Sequence, residues 1–146
     1  DADLQFDPVQ MLSELGLSNR VELTGEVGSA RRADILSNAD IYVLASDDES
    51  FGMSVAEAMA SACAIIATPA VGVAADAGDA GGVSLVVQSV DALAAEMALM
   101  LDDPDMRRAR GEHSRRYAKE HLTWKSIAHN LAQYYAELAD GEDNHT

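Results

Sequence analysis

The chain has 146 residues, 48% of them hydrophobic, which is enough for one packed domain, and no run approaches the ~18 apolar residues of a membrane span. Ten basic residues stand against 25 acidic ones, a formal net charge of −15, so phosphate backbones and anionic lipid are repelled over most of the surface. The single cysteine, Cys63, excludes a disulfide framework and lies in an apolar run, as a packed thiol does. His113, His121, His129 and His145 do not fall at ligand spacing with it or with paired acids, so no metal is expected.

Pro8 suits the first turn of a helix over residues 8–17, where Val9, Leu12 and Leu15 share a face and Gly16 marks the stop. Val21-Glu-Leu-Thr24 reads as a strand ending at Gly25, followed by a helix over 30–38. The β-branched and aromatic run Ile41-Tyr-Val-Leu-Ala45 is a second strand, and a helix rich in Ala, Met and Glu runs over 54–62. Strands over 64–68 and 84–87 and a helix over 90–102 come next, with the stretch from Val71 to Gly82 as a glycine-rich loop. Asp103-Pro104 is a cap followed by proline and opens another helix. From Trp124 onward, Ile127, Leu131, Tyr134 or Tyr135, and Leu138 recur at helical spacing, giving a final amphipathic helix before a polar tail over 140–146.

Strands alternating with helices predict an α/β fold, a Rossmann-like doubly wound parallel sheet in a single domain over 1–139 with two C-terminal helices. Right-handed crossovers then bring the 46–53 and 69–82 loops to the same sheet edge. In open α/β sheets ligands bind outside the carboxyl ends of the strands. A helix N-terminus at that edge favours an anion, with phosphate the first expectation.

The segment Glu49-Ser-Phe-Gly-Met-Ser-Val-Ala-Glu57 sits there, two carboxylates flanking a glycine turn between strand and helix. Ser54-Val-Ala-Glu57 also fits a capping box in which Glu57 reaches back to the cap's N–H, and Glu49, beside Asp47 and Asp48, reads equally as a solvated loop acid. Both readings stay open on spacing alone.

This segment resembles the signature of retaining glycosyltransferases of the GT-B type, in the group 1 family whose C-terminal domain binds a nucleotide-sugar donor. Val21 to Gly25, Ile35 to Leu44, Ile65-Ile-Ala-Thr68, Val71 to Gly82 and Leu122-Thr-Trp124 extend the resemblance over about residues 19 to 138. The resemblance implies a catalytic role for Glu49 at the donor sugar, ribose recognition by Glu57, and contact of the Phe51-Gly52-Met53 backbone with the diphosphate. It implies a UDP- or GDP-linked sugar as substrate, no other cofactor, and a cytoplasmic enzyme, peripheral at the inner face of the membrane when its acceptor is lipid-linked.

The family's first strand and its basic glycine loop have no counterpart before Asp7, so the chain is expected to be a piece of a longer enzyme. It would lack the N-terminal partner domain, be inactive alone, and be open to self-association through its last helix. Ala62 and Ala64 stand where the family has glycine and proline, and Val71-Gly72 and Ala74-Ala75 where it has paired glycines and a Pro-Glu step, with Asp76 one position on. Those departures support an alternative, a degenerate non-catalytic interaction domain of the same fold. A flavodoxin-like receiver, prompted by Asp47-Asp48, lacks a lysine before Lys119.

Charge is uneven: five of the eight arginines, Arg107, Arg108, Arg110, Arg115 and Arg116, lie on the helix opened by Pro104. That pattern is either a solvated face with internal ion pairs or a docking patch. The acidic excess matches either a salt-adapted surface or the codon bias of a high-GC genome.

Overall fold

The computed structural model describes residues 7–142, with side chains to residue 139. Three parallel strands lie in the order β1 (Ile41–Leu44), β2 (Ala64–Ala67), β3 (Val83–Leu85), with Ile41 opposite Ala64 and Ile65 opposite Val83. All four residues of β2 are buried, as a central parallel strand covered on both faces requires, and Ala-Ile-Ile-Ala offers no polar side chain to strand there.

Side chains of β2 alternate between two cores. Ile65 and Ala67 join Leu36 of α2 (Ser29–Asn38), Val55 and Met59 of α3 (Met53–Ala60) and Val73 of α4 (Gly72–Ala77), whereas Ala64 and Ile66 pack with Met100 and Leu93 of α5 (Val90–Asp102). Helices therefore cover both sheet faces, and the doubly wound α/β expectation holds. Full burial of Met59, Ile65, Ile66 and Met100 stabilises by roughly 1.5–3 kcal/mol each.

Helix α6 (Pro104–His121) is capped by Asp103, which accepts from the Met106 amide at 2.9 Å. It places Met106 against the α5 core and Ala118 against the other, so it passes from one face to the other at the amino edge of the sheet. Helix α7 (Trp124–Glu142) follows, and the two C-terminal helices are as expected. It continues into the stretch read as a polar tail, of which 143–146 lie outside the described residues.

Three expected elements differ. Residues 21–24 form no strand: Val21 and Leu23 are exposed and the segment has no ladder partner, because β1 pairs only with β2 among the described residues. Alternation fits a strand, but a strand exists only when a neighbour takes its hydrogen bonds. The stretch from 71 to 82, read as a loop from its glycines, is α4 followed by a 3-10 turn, Gly78–Gly81. Ala74, Ala75 and Ala77, alanine being the best helix former, carry α4 between the glycines at 72 and 78, and Gly78 at φ 46° ends the helix. Helix α1 (Pro8–Glu14) is shorter than expected and buries none of its residues.

Candidate functional site

The carboxyl ends of β1 and β2 are joined beyond the strands. Thr68 is buried and donates its hydroxyl to the Ser46 carbonyl at 2.6 Å. Glu49 and Val71 form an isolated parallel bridge: the Glu49 amide donates to Ala70 O at 3.2 Å, and Gly72 donates to Glu49 O at 3.1 Å. Val73 then donates to Phe51 O at 2.8 Å. A Cβ on Gly72 would overlap the Ser50 carbonyl, so the close approach of α4 to this loop needs glycine there. The 46–53 and 69–73 segments thus meet at one edge, as expected.

Gly52 turns the chain from that loop into α3. Its φ of 89° is in the left-handed region, and a Cβ would come 2.8 Å from Val71 Cγ1. Turn geometry and packing both demand glycine, independently of any ligand. The Gly52 amide donates to Glu49 Oε1 at 3.1 Å, so the Glu49 carboxylate folds back over the turn. The amides of Met53 and Ser54, at the first turn of α3, donate to no group among the described residues and lie at the positive end of the helix dipole. Phe51 and Met53 expose their side chains beside them.

The capping box does not form. Gly52, not Ser54, is the N-cap, no side chain caps the helix, and Ser54 lies inside it. Glu57, one turn further on, is instead gripped by Arg32 of α2: Nε meets Oε2 at 2.6 Å and Nη2 meets Oε1 at 2.9 Å. Sequence reading missed this partner. Its one signal is scarcity, since Arg20, Arg31 and Arg32 are the only bases in the first hundred residues.

Asp76 is exposed on α4 and near enough to Tyr117 of α6 to act on it: burial, and then the Asp76 charge, push the Tyr117 phenol above its ordinary value. Cys63 is fully buried and donates its thiol to Leu36 O at 3.3 Å, so it packs and does not face solvent. Three of the α6 arginines are tied down: Arg107 to Met100 O, Arg108 to Asp105 and Arg110 to Ser84. Among the described residues no three His, Cys, Asp or Glu side chains cluster closely enough to hold a metal ion, and no helix is long and apolar enough to cross a membrane.

Residues 5–117 match the family described as glycosyl transferases group 1. The chain is similar to the MMP alpha-(1->4)-mannosyltransferase of Mycolicibacterium hassiacum, 30% identical over 86% of this chain and 31% of that protein. It is also similar to the D-inositol 3-phosphate glycosyltransferase of Corynebacterium jeikeium, 32% identical over 92% of this chain and 32% of that one. Among solved structures, sucrose-phosphate synthase from Thermosynechococcus elongatus aligns with a TM-score of 0.76 at 28% identity, over 90% of this chain and 33% of the other. WaaG, a glycosyltransferase involved in lipopolysaccharide biosynthesis, shares the fold with a TM-score of 0.68 at 20% identity, over 76% of this chain and 30% of that one. The chain spans about a third of the length of the proteins it matches.

Proposed function

The chain belongs to the group 1 glycosyltransferase family, and on that premise we propose that it is the donor-binding half of an enzyme transferring a sugar from a nucleotide-sugar to an acceptor. The supporting observation is the Glu49–Val71 bridge, which ties both loops to one edge of the sheet and puts Glu49, the Gly52 turn and the α3 N-terminus in a single constellation, with Glu57 one turn along. Glu57 would accept hydrogen bonds from the ribose hydroxyls, since an ionised carboxylate has an oxygen for each member of a vicinal diol. The backbone at Phe51, Gly52 and Met53 would meet the diphosphate, with the free amides of Met53 and Ser54 beside it.

In this reading Glu49 is the acid at the reacting end of the donor, where its negative charge stabilises positive charge developing at the anomeric carbon. It is held over the turn by the Gly52 amide, so a diphosphate oxygen competing for that N–H releases the carboxylate toward the sugar. The donor is UDP- or GDP-linked. The acceptor site and the remaining catalytic groups belong to a second domain, and this half transfers no sugar alone. The parent enzyme works in the cytoplasm, peripheral at the inner membrane face when its acceptor is lipid-linked. Trp124, Leu131, Tyr135 and Leu138 of α7, all exposed, supply a face for self-association.

An NMR titration of UDP, GDP and ADP at high salt, on the wild type and on Glu57→Ala, tests the donor site. The expected result is saturable shifts over Phe51 to Glu57 with one base preferred, lost in the variant while its fold persists. Affinity unchanged by Glu57→Ala would remove Glu57 from the site, and no shift at millimolar nucleotide would leave either a site that the rest of the enzyme completes or the non-catalytic interaction domain, which the same titration on the full-length parent separates.

A further inference from the structure

We propose that Arg32 is a positioning residue that sets the plane and rotamer of the Glu57 carboxylate for recognition of a vicinal diol, an inference that rests on the donor-site reading above. The two side chains lie 25 residues apart and bridge α2 and α3. Among the described residues no other arginine meets both oxygens of one carboxylate: Arg31–Asp34, Arg108–Asp105 and Arg107–Asp40 each join through one. The Glu57 fork is also the shortest of these contacts, at 2.6 and 2.9 Å.

Stability is a poor reason for such a fork. Both side chains are partly exposed, 44% for Arg32 and 35% for Glu57, and exposed ion pairs contribute little to folding. What two parallel N–H···O bonds add is orientation, because they fix the carboxylate plane as well as its distance. Nothing else does so here. The capping box that would hold Glu57 to the helix end is absent, and Glu57 borders two grooves, of about 260 Å³ toward α2 and about 290 Å³ toward α6, into either of which a free side chain could turn.

Acceptor capacity permits both partners at once. A carboxylate has about four lone-pair sites; the guanidinium takes one on each oxygen, and each oxygen keeps one, on the side away from Arg32, for a ribose hydroxyl. Freezing the side chain beforehand removes the ordering cost from the binding step. Lysine keeps the charge but presents its N–H donors from one nitrogen, without a planar fork to match both oxygens, so it should restore part of the effect and not all of it.

The test is a calorimetric titration of the 146-residue chain with UDP and GDP and with the 2′-deoxy and 3′-deoxy forms of each, on wild type, Arg32→Gln and Arg32→Lys, with a melting curve for each variant. The readout is the ratio of ribo to deoxy affinity. A loss of general packing lowers both affinities together and leaves that ratio unmoved. The expected result is a ratio about tenfold smaller in Arg32→Gln and partly recovered in Arg32→Lys, with melting temperatures close to wild type. A ratio unchanged in Arg32→Gln, or tighter ribonucleotide binding in that variant, overturns the positioning role and leaves the donor site standing. Absence of any ribo-over-deoxy preference in the wild type overturns the donor-site role of Glu57 and the positioning role with it.

Discussion

Gly111 of α6 lies against the carbonyl of Ala62, so closely that a Cβ at position 111 would overlap the Ala62 oxygen. Ala62 itself has φ 66° and is the one non-glycine residue at positive φ among the described residues. The turn is a Schellman motif at the end of α3, with Cys63 donating to Ala58 O at 3.1 Å and Ala62 to Met59 O at 3.0 Å. Glycine is the usual residue there, and alanine in the left-handed region carries a cost of roughly 1–2 kcal/mol. With α6 pressed on the carbonyl, the turn has no room to relax.

Ala62→Gly is therefore expected to stabilise the chain by about 1 kcal/mol, or about 4 °C in melting temperature, less than the full strain because glycine also adds freedom to the unfolded chain. Thermal unfolding followed by circular dichroism measures it. A variant that melts at or below the wild-type temperature would show that the turn is not strained. Alanine keeps the left-handed turn that a glycine would make there, with α3, and the Glu57 it carries, packed against α2 and α6.

Elements whose signal is local were legible. The run at Ile41, the buried Ala-Ile-Ile-Ala of β2, and the Asp103-Pro104 cap are each read within a few residues, and the helix over 90–102 appears with those bounds. Features that depend on distant partners were not. Val21-Glu-Leu-Thr24 has strand alternation and no strand beside it, while Arg32 and Glu57 meet across 25 residues without a motif to announce them. The glycines between 71 and 82 misled, since they border a helix instead of a loop, whereas the glycine turn expected at position 52 is present, with φ 89°. Spacing located the site segment, but only the packed turn shows that Ser54 is no cap and that Glu57 is free for another partner.

Burial pushes the Cys63 thiol above its ordinary value of 9.0, and the Asp40 charge adds to the shift. The folded state then keeps a proton that the unfolded chain gives up as pH rises past the ordinary value. Stability from this group is complete below that value and is lost as pH climbs through the raised one. Cys63→Ala should lower stability at neutral pH by about 1 kcal/mol through the lost sulfur packing, and flatten the decline that sets in as pH rises past the ordinary thiol value, to which Tyr117, also raised, adds its own slope at higher pH. Urea unfolding from neutral pH upward checks both effects. An equally steep decline in the variant would assign the alkaline limb elsewhere, and rapid reaction of the native thiol with a disulfide reagent would contradict its burial.

The charge balance predicts a folding stability that rises with salt. Acidic residues outnumber basic ones 25 to 10, and the few described pairs, such as Arg32–Glu57 and Arg107–Asp40, engage only some of the acids. Screening weakens those attractions and the repulsion among the remaining carboxylates alike, but the repulsive pairs are far more numerous, so their relief dominates. As KCl goes from about 0.01 M to about 1 M, the screening length falls from about 30 Å to about 3 Å. The melting temperature should climb steeply at first and then level off once that length drops below the spacing of neighbouring acids. Sorbitol of matched osmolality supplies no screening and should not reproduce the early rise. A melting temperature that stays flat or falls over the first part of the KCl series would mean that the ion pairs outweigh the self-repulsion, and that the surface acids lie too far apart to oppose folding.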